Sequence, residues 1–299
     1  MNSAAPLLIE PPMLPAAAPD WADEYGEDEY GIYCRFRISD VWFVMRWIPP
    51  GEFTMGSPED ENDRDPDEGP QHRVVISQGF WLGETPVTQQ QWRAVVQAAK
   101  ASELPARPSH FKDKPQHPVE SVNWHQSVQF CQQVQAVLQS AQQFRLPTEA
   151  EWEYACRAGT SGAFHDSSPC TEPFGRDPAL EHLGWFDENS NRSTQPVRQK
   201  KPNTWGLFDM HGNVWEWCRD GSRSYSAEPQ VDPLGSETSG ASRVLRGGGW
   251  DYDARICRAA ARDSFAPGLV WYCTGLRLSA GPGAQSGGAG AERVERAET

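Results

Sequence analysis

Residues 243–278 read RVLRGGGWDYDARICRAAARDSFAPGLVWYCTGLRL, and the reading of this stretch decides the fold. It opens on an apolar pair, Val244 and Leu245, runs into three glycines at 247–249, and closes on Gly275, Leu276, Arg277 and Leu278. Both ends read as buried strands. The glycines lack a Cβ, so the main chain there can bend or approach another segment closely, as bulges and ligand-facing turns require. Between the ends, Trp250 to Asp253, Asp263 to Phe265 and Leu269 to Tyr272 mix large aromatic and apolar groups with short polar ones, at neither helical nor strand spacing. Rigid aromatic anchors among small polar groups make up a binding surface held by a scaffold. A long core loop has the same composition, and composition alone does not separate the two.

Outward from this stretch, the totals set bounds. At 299 residues the chain holds one large or two small domains. Thirteen tryptophans, each able to bury roughly 150–250 Å², can anchor a fold poor in regular elements. The 27 Lys and Arg against 41 Asp and Glu leave a net charge of −14, which argues against nucleic acid as a partner, because phosphate binding needs clustered basic residues. Two acidic runs, 20–29 and 59–68, read as solvated loops rather than sites. Seven cysteines without CxxC or CxH spacing point to reduced, buried thiols and a cytoplasmic protein. The first residues lack the basic start of a signal peptide, and no apolar run reaches 18 residues, so no membrane span is expected.

Along the chain, residues 1–30 are rich in Pro and Ala and then acidic, the composition of a disordered leader. Strands are expected at 33–38, 41–48, 51–55 (continuing the same sheet), 72–77 and 79–82. Three helices have readable starts: Thr88 with Gln91, Asn123, and Thr148 with Glu151, the last helix ending at Gly159. Residues 162–204 read as a long loop with a job or an ion to hold it. The Gly, Ala and Ser-rich tail at 280–299 reads as disordered.

Seven ordered motifs, GEFTMGS (51–57), EGPQHRV (68–74), GFWLGETPVT (79–88), RLPTEAEWEYACRAG (145–159), GLFDMHGNVWEW (206–217), RVLRGGGW (243–250) and GLRL (275–278), resemble the formylglycine-generating enzyme or sulfatase-modifying factor family. The resemblance implies an α+β, C-type lectin-like domain over residues 31–279, low in regular secondary structure. It also implies an activity to test, oxidation of a substrate cysteine by a copper-binding pair of cysteines. Soft thiolates are what Cu(I) requires, and here the second position of the pair falls at Ala254 and the first inside the glycine run. Cys257 is alone, and Cys273 lies where the family has no catalytic thiol, so neither catalysis nor copper is expected. The His-rich triad of the related iron-dependent enzymes does not occur either.

Within 243–278 the sequence also resembles the variable region of a diversity-generating retroelement target. Trp250, Ala254, Arg255, Cys257, Arg258, Arg262, Pro267, Gly275, Arg277 and Leu278 keep the family letters. Asp251, Tyr252, Asp253, Ile256, Ser264, Phe265, Leu269, Tyr272, Cys273 and Thr274 replace asparagines, each reachable from an AAC codon by changing adenines alone. Lys, Glu, Gln and Met, which cannot be reached in that way, do not occur in the stretch. The resemblance implies a ligand-binding surface at Asp251, Tyr252, Asp253, Ile256, Ser264, Phe265, Leu269, Trp271 and Tyr272, facing an unidentified protein or peptide. Arg255, Arg258 and Arg262 are then internal struts, with Trp250 a core anchor. The family turn at GNVWEW implies a structural calcium ion on Asn213 and Glu216. The alternative is that Asn213 orders a turn and Glu216 pairs with an arginine.

Overall fold

The computed structural model describes residues 15, 17–100, 102–236, 238 and 240–281. In chain order the strands are β1 (Glu24–Asp28), β2 (Gly31–Ile38), β3 (Val41–Ile48), β4 (Gly51–Met55), β5 (His72–Ile76) and β6 (Phe80–Gly83). Helices α1 (Gln89–Ala98) and α2 (Trp124–Leu138) follow, then β7 (Phe144–Arg145), α3 (Glu149–Arg157) and α4 (Leu180–Leu183). The chain ends with β8 (Trp215–Gly221), β9 (Gln230–Val231), β10 (Arg243–Arg246), β11 (Arg262–Phe265), β12 (Thr274–Gly275) and β13 (Ser279–Ala280).

Three sheets result: β1-β2-β3-β6-β13-β7, β11-β10-β8-β12 and β4-β5-β9. The fold is α+β, as the motifs imply. The expected strands from 33 to 83 all form. One expectation fails: β4 leaves the first sheet and pairs with β5, Gly51 opposite Ile76. Pro49 and Pro50 sit between β3 and β4, and proline has no N–H to continue a ladder.

The acidic run 20–29, expected in a disordered leader, is instead structured. Trp21 is 6% exposed and packs edge-on against Phe36 and Phe144, with centroids 5.5 and 5.0 Å away. That burial fixes the chain where β1 pairs antiparallel with β2, Glu24 opposite Arg35. Residues 1–14 and 282–299 of the expected leader and tail lie outside the described residues.

All three helix starts are closed by reciprocal capping. Thr88 accepts from the Gln91 N–H, Asn123 from Gln126 and Thr148 from Glu151, while each partner side chain bonds back to the cap N–H. The end of α3 differs by one residue from expectation: Ala158 is the left-handed cap at φ 44°, and Gly159 follows at φ 92°. Every residue of α3 is buried, its three glutamates included. The long loop contains only the short α4.

The closing GLRL does not form one strand. β12 runs parallel to β8, and β13 pairs with β6 and β7 in the first sheet. Between them, the Leu278 and Leu276 carbonyls accept from Gly83 (2.7 Å) and Val87 (2.9 Å). The stretch therefore ties two sheets together. No helix among the described residues is long and apolar enough to cross a membrane.

Candidate ligand-binding face

Buried ion pairs hold the stretch from beneath. Arg246 on β10 bonds Glu153 of α3 and the carbonyls of Ala259 and Ala261, at 3.1 and 2.7 Å. Arg262 grips the Glu149 carboxylate at 2.7 and 3.0 Å and the carbonyls of Asp67 and Arg223. Arg258, fully buried, forks onto both oxygens of Glu68 at 2.6 and 2.8 Å and also pairs with Glu61. Burial pushes the Glu68 and Glu153 carboxyls up, but their arginine partners outweigh it and hold both below the usual carboxylate range. Two of the three expected struts are thus found. Arg255 is the exception: its side chain is 29% exposed, 3.8 Å from Asp253 and stacked over Phe174.

The second acidic run also corrects the sequence reading. Glu68 is buried, so the 59–68 loop is not simply solvated: it anchors the stretch through Arg258. Gly248 sits at φ 74°, and a Cβ there would lie 2.6 Å from the Cys257 sulfur. Only glycine lets the turn after β10 pass this close to the 3-10 turn Ala254–Cys257.

Burial divides the stretch. Ala254, Cys257, Arg258, Ala259, Ala260, Ala261, Arg277 and Leu278 are 0–2% exposed, and Trp250 and Arg262 are also buried. Asp251, Tyr252, Asp253, Ile256, Ser264, Phe265 and Leu269 are half-buried, and Val270, Trp271 and Tyr272 are exposed at 52, 38 and 41%. Cys273 and Thr274 break the pattern: both replace asparagine, yet both are buried, Thr274 in β12 beside β8 and Cys273 just before it, its carbonyl accepting from the Trp215 N–H.

Much of the main chain of this region is held by main-chain partners. Trp250 N–H donates to Asn213, Asp187 N–H to Tyr252, Trp124 N–H to Pro267, Ser121 N–H to Trp271 and Trp215 N–H to Cys273, at 2.8–3.1 Å.

The expected site residues fall into groups. Phe265, Trp271, Tyr272, Trp250 and Phe111 form a chain of ring contacts at 5.3–6.3 Å. Tyr252 stands edge-on to Trp215 at 5.5 Å, and both line an open cleft of about 410 Å³ with Ile256. Asp65, Pro66, Asp67, Arg262 and Asp263 complete its lining. Asp253 lies near Asp187, whose carboxyl is raised by burial and by the charges of Asp253 and Glu188. Ser264 is on β11 beside Asp263, and Leu269 closes a turn onto the Ala266 carbonyl. Four cleft residues escaped the sequence reading. Asp65, Pro66, Asp67 and Trp215 come from distant segments, whereas Asp263 was read within the binding stretch without being assigned to the site.

The two residues expected to hold calcium are both engaged by other protein groups. Glu216 accepts from Arg277 at 2.8 and 2.9 Å and from the Trp152 indole N–H at 2.7 Å. Asn213, at φ 64°, orders a turn by bonding the Gln195 N–H (3.0 Å), the Gln195 carbonyl and Asp209. A carboxylate neutralised by a guanidinium does not fit a hard cation, so the alternative reading of this turn is the one found. Among the described residues no three His, Cys, Asp or Glu side chains converge in a metal-binding group.

Mixed sheets joined by a long irregular segment, with few helices, define a C-type lectin-like fold of the formylglycine-generating enzyme type. The chain belongs to the family of sulfatase-modifying factor enzyme 1-like domains, whose profile matches residues 43–280. It is 33% identical to a formylglycine-generating enzyme of Streptomyces coelicolor over 74% of this chain and 83% of that one. In structure it is similar to Treponema denticola variable protein 1, with TM-score 0.69 and 30% identity, covering 84% of this chain and 99% of that one. PvdO from Pseudomonas aeruginosa follows at TM-score 0.68 and 26% identity, covering 82% and 97%.

Proposed function

We propose that the chain is a non-catalytic recognition protein displaying a diversified surface at 251–272, the variable protein of a diversity-generating retroelement. One observation carries this reading: apart from Cys273 and Thr274, the replaced positions lie on the accessible side of a main chain whose retained side chains, Arg255 and Pro267 excepted, are buried. Main-chain hydrogen bonds do not depend on side-chain identity, so a segment held by them tolerates replacement of what it displays. The likeness to a protein named a variable protein supports the same reading.

The face offers half-buried Tyr252 and Phe265 and exposed Trp271 and Tyr272, the residue types that dominate protein interfaces, so the partner class is a protein or peptide. Seven unpaired, buried cysteines fit a reducing compartment such as the cytoplasm. The test is to exchange the residues at 251–253, 256, 264, 265, 269, 271 and 272 for those of a second, unrelated variant. Cooperative unfolding is expected to persist while ligand binding changes. Loss of the folded state in several such exchanges sinks the reading. At the gene level, an adenine-rich near-copy of codons 250–275 beside a reverse transcriptase gene is expected.

The second reading, a copper-dependent oxidase of peptide cysteines, is favoured by the names of the relatives. Against it stand Cys257 and Cys273, whose thiols burial pushes well above the ordinary range, away from the thiolate that binds Cu(I). Incubation with Cu(I), oxygen and a cysteine-bearing sulfatase peptide is expected to yield no aldehyde by mass spectrometry.

A further inference from the structure

Resting on that reading of the face, we infer that the cleft between Tyr252, Ile256 and the turn at 65–67 takes an arginine or lysine side chain of a protein ligand. Asp65, Asp67 and Asp263 line it, and none of the three forms a salt bridge among the described residues. The basic lining residue, Arg262, has its guanidinium bonded to Glu149 and to two carbonyls, so it offers these carboxylates little counter-charge.

The Asp263 carboxyl lies above its ordinary range through burial and the charges of Asp67 and Asp65, despite a hydrogen bond from Ser264. Asp67 is raised too, by burial above all, which together with the charges of Glu68, Asp65 and Glu149 outweighs the pull of Arg262. A bound cation relieves that repulsion, whereas an anion adds to it. The rings of Trp215 and Tyr252 line the same cleft, and aromatic faces beside carboxylates favour guanidinium and ammonium groups.

A second observation points to a peptide rather than a free amine. Trp215, 2% exposed, has a buried indole N–H that makes no hydrogen bond of normal geometry and whose polar neighbour is the Tyr252 hydroxyl. As an inserted side chain shifts Tyr252, the peptide carbonyl next to it supplies the missing acceptor. About 410 Å³ accommodates one long side chain and its flanking backbone.

The test pans a random peptide library displayed on phage against the intact protein, with counter-selection on a Tyr252→Ala, Trp271→Ala double variant. Enriched peptides are expected to carry Arg or Lys and to bind an Asp67→Asn, Asp263→Asn variant about tenfold or more weakly. Asp65→Asn, a milder change, is expected to weaken them less, with both variants melting near the parent. A Glu103→Gln, Glu228→Gln variant removes the same charge from exposed positions elsewhere. An equal loss of affinity there shows general attraction to an acidic chain and overturns the inference. Enrichment of neutral or acidic peptides that need Tyr252 and Trp271 also overturns it, while leaving the face reading intact. Failure to enrich anything over the double variant removes the face reading and this inference with it.

Discussion

The frame around α3 and the face at 251–272 use charge in opposite ways. In the frame, Glu149, Glu153, Glu68 and Glu216 each meet an arginine out of contact with water. On the face, the Asp65, Asp67 and Asp263 carboxylates line an open cleft without such a partner. Paired charge fixes one arrangement of the chain, because removing either partner strands the other in a low-dielectric interior. Unpaired charge at the surface leaves a vacancy for something that is not the chain itself. The contrast assigns stability to one set of residues and recognition to the other, and it can be tested from both sides.

The largest effect is expected in the frame. Glu153→Ala leaves Arg246 and Arg157 facing an empty site and should destabilise by about 3–5 kcal/mol, read as a fall in the denaturant midpoint. Next comes acid. His165, 4% exposed and stacked on His211, has its pKa lowered to about 4 by burial. The unfolded chain takes up this proton below about 6.5 while the folded chain does not until about 4, so stability falls as pH drops through that window. His165→Phe should therefore shrink the stability difference between pH 7 and pH 4.5 by about 2–3 kcal/mol, measured by urea titration at both.

Cys273 sharpens the comparison, because it is a replaced residue that lies inside. Cys273→Tyr should cost about 1–3 kcal/mol by overpacking, although tyrosine is equally reachable from the same codon. The smallest change is expected on the face: Trp271→Ala should alter stability by under about 1 kcal/mol and yet reduce ligand binding. A larger stability loss for Trp271→Ala than for Glu153→Ala would erase the distinction between the two regions.

Local physics was legible in the sequence. The caps at Thr88, Asn123 and Thr148 all form as read, each within residues three apart, and the structure adds Gln126 as the return partner of Asn123. The division of 243–278 into held and displayed positions was readable in large part, with Arg255, Pro267, Cys273 and Thr274 falling on the other side from their letters. The Arg258–Glu68 pair was not, because its partners are 190 positions apart and nothing in the acidic run marks which carboxylate will be buried. For the same reason Asp65 and Asp67 looked like solvated charge. Trp21 was missed because its surroundings have the composition of a linker, while a single large ring supplies enough area to dock the strand that follows. The arginine partner of Glu216 was not legible either, since Arg277 reaches it from the far end of the stretch.

The turn at 65–67 lies outside the replaced segment but forms one wall of the cleft. Whatever letters are written into 252 and 256, that wall keeps its two aspartates. A repertoire built on this domain does not search all chemistries evenly: it starts each trial with a constant negative lip, as a lock cut from a blank keeps one ward that no locksmith has filed.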